Sequence, residues 1–203
     1  VSMSISRPSG PAGSYFATLG VTSEVLQRVL TEALSRGGDD CDLYFEHVNS
    51  TSVSLTDGKV NQASTHVSLG MGVRVREGDQ VGYAYSEDLS PDALATAART
   101  AAGIANSATQ RHVATPVAIE LPNHYPVSMP WKDVGIQHRV ELVRKWEKAA
   151  FDADERIQRV EVSLADAEKI IMIVRPDGRL VEDWRPMTRA SVRCTAEGVG
   201  PNG

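Results

Sequence analysis

Five apolar residues at alternate positions, Val67, Leu69, Met71, Val73 and Val75, dominate the middle of this chain. Ser68, Gly70, Gly72, Arg74 and Arg76 fill the places between and after them. Successive side chains of a strand point to opposite faces, so this run reads as a strand with one buried face and one open face. Glu77-Gly78-Asp79-Gln80 turns the chain, and Val81, Tyr83 and Tyr85 carry the alternation onto another strand. Strands that return this quickly pair antiparallel and need a layer packed on their apolar side.

Helices can supply that layer. Thr22 or Ser23 caps a helix whose Leu26, Val29, Leu30, Ala33 and Leu34 share one face, and Gly37-Gly38 ends it. Ser90-Pro91-Asp92 opens a second helix reaching about Ala105, with Leu94, Ala97, Ala98, Ala101 and Ala105 as a narrow stripe. A third runs from about Ile136 to Ala153 and buries Val140, Val143, Trp146, Ala150 and Ala153. Cys41, Leu43 and Phe45 alternate, as do Val53 and Leu55 before the hairpin turn Asp57-Gly58. Later, Val160, Val162 and Leu164 alternate, and Ile170 to Val174 is apolar on both faces, as in a central strand. Asp177-Gly178 turns the chain into Leu180 to Trp184, and Ala190, Val192 and Cys194 follow with alternation of their own.

The fold class expected is α+β, antiparallel sheets with packed helices. Residues 1–21 read as a flexible arm, 22–106 as a first α+β half and 107–135 as an extended connection punctuated by Pro116, Pro122, Pro126 and Pro130. Residues 136–198 read as a second α+β half and 199–203 as a glycine-rich end. Each half reads as one helix with about four strands, and the two Asp-Gly turns recur about 120 residues apart. This suggests an internal α-ββββ duplication.

Chemistry is sparse. Lys plus Arg is 21 against 26 Asp plus Glu, a formal charge of −5, which argues against direct nucleic-acid binding. No apolar run approaches the roughly 18 residues of a membrane span. Two cysteines, Cys41 and Cys194, make no disulfide framework, and a reducing cytoplasm is the expected compartment. Both read as small buried hydrophobes. His47, His66, His112, His124 and His138 have no metal-binding spacing and read as surface or strand-edge residues. Asp152, Asp154 and Glu155 sit among Lys148, Arg156 and Arg159 and read as a solvated ion-pair cluster. No catalytic and no metal-ligating residue is identified. The candidate site is the open face of the glycine-punctuated strand: Gly70, Gly72, Arg74 and Arg76. Glycine there permits a bend or the close approach of another backbone, and an extended peptide could be added along such a strand. The arginines could hold carboxylates or form a solvated face.

Three strings carry a resemblance. They are Asp42-Leu43-Tyr44-Phe45-Glu46; Gly72-Val73-Arg74-Val75 followed by Gly82-Tyr83-Ala84-Tyr85-Ser86-Glu87-Asp88-Leu89-Ser90; and Pro176-Asp177-Gly178 followed by Asp183-Trp184-Arg185-Pro186. In order and spacing they resemble the N-terminal half of the TldD/PmbA family, the TldD branch above all, over about residues 22–198. The resemblance implies zinc-dependent peptidases, also described as modulators of DNA gyrase, that mature microcin-type peptides and degrade an antitoxin. It implies homodimers, or heterodimers with a PmbA-like subunit, and peptides or unfolded proteins as substrate.

The family's HExxxH metal motif is absent from this sequence. The zinc is therefore expected in a C-terminal part beyond it, with no cofactor in this stretch and no peptidase activity from it alone. The expected role is substrate guiding and dimerisation. The alternative is a non-catalytic module that sequesters a small protein or modulates gyrase.

Overall fold

A computed structural model describes residues 15–107, 109, 111–122 and 126–198. Six strands, β1 (Asp40–Thr56), β2 (Lys59–Glu77), β3 (Gln80–Ser86), β4 (Val117–Ile119), β5 (Ile157–Val174) and β6 (Arg179–Ala196), form one sheet in the order β3-β2-β1-β5-β6-β4. Three helices, α1 (Ser23–Ala33), α2 (Pro91–Ala102) and α3 (Ile136–Phe151), accompany it. The α+β class is as expected. The sheet is mixed rather than wholly antiparallel, because the short β4 pairs parallel with β6 through Val117↔Arg179 and Ile119↔Val181.

The four long strands replace a larger number of short ones. Cys41, Leu43, Phe45, Val53 and Leu55 all lie at odd positions, so Glu46–Ser52 interrupts the hydrophobicity without changing its phase. Only a turn or bulge resets that phase. The same holds along β5 from Val160 to Val174. The order helix–two strands after residue 136 differs from the four strands read there, and it does not confirm a duplication.

Compaction divides the chain into two discontinuous units. The first comprises residues up to 47, 68–126 and 169–185. Its core gathers Leu43 and Phe45 of β1, Met71, Val73 and Val75 of β2, and Met172 and Val174 of β5 under α1 and α2. Thr22 caps α1, its Oγ1 accepting from Val25 N–H at 3.4 Å. Leu26, Val29 and Leu30 are fully buried, each contributing about 1.5–3 kcal/mol. The described part of the N-terminal arm is not loose. Phe16 is 0% exposed and its ring stands 5.5 Å from that of Phe45. An aromatic ring this large outweighs the glycine- and serine-rich composition before it.

The second unit comprises 48–67, 127–168 and from 186 on. Here α3 lays Val143 against Val53, Leu55, Val160, Val162 and Leu164. Asp57 and Gly58 join β1 to β2 with φ of 47° and 78°, the left-handed pair of a tight hairpin turn. Two charged residues of α3 are buried beside Val143, at spacing i−4 and i+4 from it. Glu147 accepts the Gly58 N–H at 2.7 Å. Arg139 meets Asp166 of β5 through Nε (2.7 Å) and an Nη (2.9 Å). The same guanidinium donates to the carbonyls of Trp131 and Val134 and lies 4.9 Å from the Trp131 ring. Ala153, read as buried, is exposed because α3 ends at Phe151.

Candidate functional site

Gly70, Gly72, Arg74 and Arg76 share one side of β2, opposite the buried Met71, Val73 and Val75. The turn at Gly78-Asp79 sets the register with β3: Gly72↔Tyr85, Arg74↔Tyr83, Val75↔Gly82 and Arg76↔Val81. The pairing Val75↔Gly82 puts Gly82 and Ala84 on the helix side. Val81, Tyr83 and Tyr85 therefore stand on the open face, 54%, 66% and 71% exposed. Their alternation alone marks a strand without saying which side is buried. A two-residue hairpin loop following a core Val75 was the signal that the small residues, not the tyrosines, face the helices.

The space over the glycines is occupied from within the chain. A Cβ on Gly72 would lie 2.7 Å from Tyr83 Oη, and one on Gly70 would lie 3.0 Å from the Ser86 carbonyl oxygen. Tyr83 thus lies over the glycine as a cross-strand aromatic filling the missing side chain's place. Gly82 is the tightest position on the other face, its Cβ falling 2.1 Å from the Ala101 carbonyl oxygen of α2.

Beside the tyrosines runs a row of ion pairs on the same unit. Arg74 grips Asp42 at 2.6 Å, Lys169 meets Glu46 at 2.9 Å and Arg175 meets Asp40 at 2.7 Å. Arg74 is therefore neutralised by its own strand neighbour. Tyr44 donates to Glu46 at 2.7 Å. Burial, helped by that hydrogen bond and by the carboxylate's charge, pushes the Tyr44 hydroxyl up to about 12. For Glu46, burial works upward, but the hydrogen bonds from Lys169 and Tyr44 outweigh it and hold the carboxyl below its usual range.

These shifts set a pH dependence. A tyrosine raised on folding contributes stability fully present below its unfolded value near 10 and lost as pH rises through about 12. Denaturant midpoints between those two values are expected to fall less steeply for Tyr44→Phe than for the native chain. Equal slopes would mean that Tyr44 ionises as freely folded as unfolded.

The remaining residues singled out from the sequence do not converge on chemistry. Cys41 is buried, and that burial pushes its thiol up to about 12, whereas Cys194, read as buried, is exposed on β6. Every residue of β6 from Met187 to Ala196, Cys194 among them, is exposed. His47 stacks on Tyr15 and accepts or donates at 2.6 Å to its hydroxyl. His66, His112 and His138 are exposed, and His124 lies outside the described residues. Lys148–Asp152 and Arg156–Asp154 form the solvated pairs expected, while Arg159 turns to Glu161. Among the described residues no three His, Cys, Asp or Glu side chains come together as a metal site, so this donor set does not fit a zinc ion.

In the second unit a cavity of about 200 Å³ is lined by Thr51, Thr65, Trp131, Lys132, Arg139 and Glu168, among others. Its most buried cation, Arg139, already serves Asp166 and two carbonyls. The cluster pins the segment before α3 onto β5. No helix among the described residues is long and apolar enough to cross a membrane.

Comparison with known proteins bears on this arrangement. Residues 41–105 match the profile of the PmbA/TldA metallopeptidase domain 1, and residues 130–203 match that of the PmbA/TldA metallopeptidase central domain. The chain is 28% identical over 183 residues to the Metalloprotease TldD homolog of Haemophilus influenzae, covering 89% of this chain and 38% of that protein. It is 27% identical over 171 residues to the homolog of Buchnera aphidicola subsp. Acyrthosiphon pisum, covering 84% and 35%. The chain thus spans well under half the length of these relatives.

Two solved structures share the fold. One is a proposed modulator of DNA gyrase from Bacteroides thetaiotaomicron, with a TM-score of 0.64 and 18% identity over 87% of this chain and 41% of the other. The second is TldE from Thermococcus kodakarensis, with a TM-score of 0.55 and 12% identity over 88% and 40%. With two successive domain profiles of one family matching in order and together taking in more than half of its residues, the chain belongs to the PmbA/TldD metallopeptidase family.

Proposed function

We propose that this chain is the substrate-guiding and dimerising part of a cytoplasmic, TldD-like zinc-dependent peptidase that acts on unfolded peptides or small proteins, as in peptide maturation or antitoxin degradation. The metalloprotease name of its relatives, and their more than twofold greater length, support reading the zinc chemistry onto a part of the polypeptide outside this sequence. No hydrolytic step is assigned to residues described above.

The observation that carries the guiding role is the pair Tyr83 and Tyr85, two rings left about two-thirds exposed on the last strand of the sheet. In the sheet, β3 pairs only with β2, so its outer edge has no strand partner among the described residues. An extended peptide laid along β3 takes main-chain hydrogen bonds whatever its sequence and rests side chains on the tyrosines. Tyr83 fills the space over Gly72, and the exposed Arg76 places a cation on that face for acidic side chains.

The test is fluorescence anisotropy of a labelled, unstructured peptide titrated with the chain. Tyr83→Ser with Tyr85→Ser is expected to weaken binding about tenfold or more, since each aromatic contact contributes about 0.5–1.5 kcal/mol beyond its buried area. No binding by the native chain, or equal binding by the variant, removes the proposal.

A further inference from the structure

The cavity of about 200 Å³ in the second unit is lined by charges of both signs. Its most buried lining is the Arg139–Asp166 pair, 7% and 4% exposed. A guanidinium has five N–H donors. Arg139 uses four of them, on Asp166 and on the Trp131 and Val134 carbonyls. Each Asp166 oxygen accepts one of these bonds, which leaves acceptor capacity on both.

Two further charges line the cavity with no ionic partner among the described residues. Lys132, on the helical turn Trp131–Asp133, is exposed and its ammonium meets no carboxylate. Glu168 of β5 accepts the Lys132 main-chain N–H at 3.4 Å and faces no cation. The two side chains therefore share a cavity without meeting. The hydroxyls of Thr51 and Thr65 stand there too, 3.2 Å apart. One hydrogen bond between them leaves one hydroxyl proton free to donate.

We infer that this cavity binds a free α-amino acid. Its ammonium meets Asp166 and Glu168, and its carboxylate meets Lys132 and a threonine hydroxyl. The choice follows from the lining. The cations Lys132 and Arg139 balance the anions Asp166 and Glu168, so neither a lone anion nor a lone cation finds a favourable net charge. An apolar molecule would strip water from the buried Asp166 and Thr51 and return no hydrogen bond. A zwitterion serves both signs through charge-assisted bonds. Size narrows the class. A cavity of about 150 Å³ takes benzene, so about 200 Å³ takes roughly eight heavy atoms, as in a small amino acid. The lining lies wholly in the second unit, whereas β3 and its tyrosines belong to the first, so the site does not rest on the peptide-guiding role.

Isothermal titration calorimetry of the 203-residue chain tests this with L-alanine, L-serine and L-leucine, each free, N-acetylated and as the carboxamide. Saturable binding of at least one free amino acid is expected, weakened about tenfold or more by either cap, since each cap removes one charge. Lys132→Met and Glu168→Gln are expected to weaken it by a similar factor. Lys132 is exposed, and glutamine keeps an oxygen for the Lys132 N–H, so neither change removes a packing contact of the fold. No binding by the native chain at millimolar amino acid, equal binding of a capped form, or equal binding by either variant overturns the assignment. Should a variant not fold, the capped ligands decide on the native chain alone. The Tyr83→Ser/Tyr85→Ser chain is expected to bind the amino acid as the native chain does, so a failure here and a failure of peptide binding there are read separately.

Discussion

Asp166→Ala is expected to destabilise the chain by about 3–5 kcal/mol, the usual consequence of leaving one member of a buried ion pair without its partner. The Arg139 and Asp166 side chains are 7% and 4% exposed, so loss of the carboxylate leaves the guanidinium largely withdrawn from solvent without its counter-ion. The guanidinium also donates to the Trp131 and Val134 carbonyls, and its displacement frees the segment before α3 as well. Arg139→Met with Asp166→Leu should recover most of the loss, because packed apolar residues of similar volume commonly replace such a pair at little cost. Urea unfolding of the three variants checks both statements. A loss below about 1 kcal/mol for Asp166→Ala would show the pair to be solvated.

Gly82→Ala is the second large effect. The added methyl would meet the Ala101 carbonyl oxygen at 2.1 Å, and that oxygen belongs to helix backbone, which cannot swing aside as a side chain can. Relief requires α2 to lift from β3, at about 1–3 kcal/mol or more for overpacking a well-filled site. Faster hydrogen exchange along Pro91–Ala102 should accompany the loss. By contrast, a methyl on Gly58 meets nothing within 4 Å and carries only the strain of a positive φ, about 1–2 kcal/mol. If the Gly82 variant unfolds at the native urea midpoint, the packing of α2 on β3 is looser than described.

How much of this was legible beforehand differs element by element. α1 was readable to its cap, since Thr22 and the Leu26–Val29–Leu30–Ala33 face are local features. The Asp57-Gly58 turn was equally local, because positive φ at two residues selects few sequences. β1 and β5 were read in pieces, although their constant phase marked each as continuous. The sides of β2 were placed correctly from Met71 to Arg76, but Val67, read on the buried face, is exposed, and the side taken by the tyrosines of β3 was not read. Their side depends on which residue of β3 meets Val75, and hence on the hairpin loop rather than on β3 itself.

Residue order alone therefore determined the elements whose causes lie within one turn or one alternation: the helices, the hairpin turns, the buried side of β2 at Met71–Val75 and the family. Folding in three dimensions decided what depends on distant partners. It buried Arg139 against Asp166, 27 residues away, and carried Glu147 to the Gly58 amide, 89 residues away. It also left β2 along Val60–Val67 exposed, with no further strand beside it among the described residues. A charge is tolerable in a core, and an edge is open or closed, only with respect to what the rest of the chain places beside it.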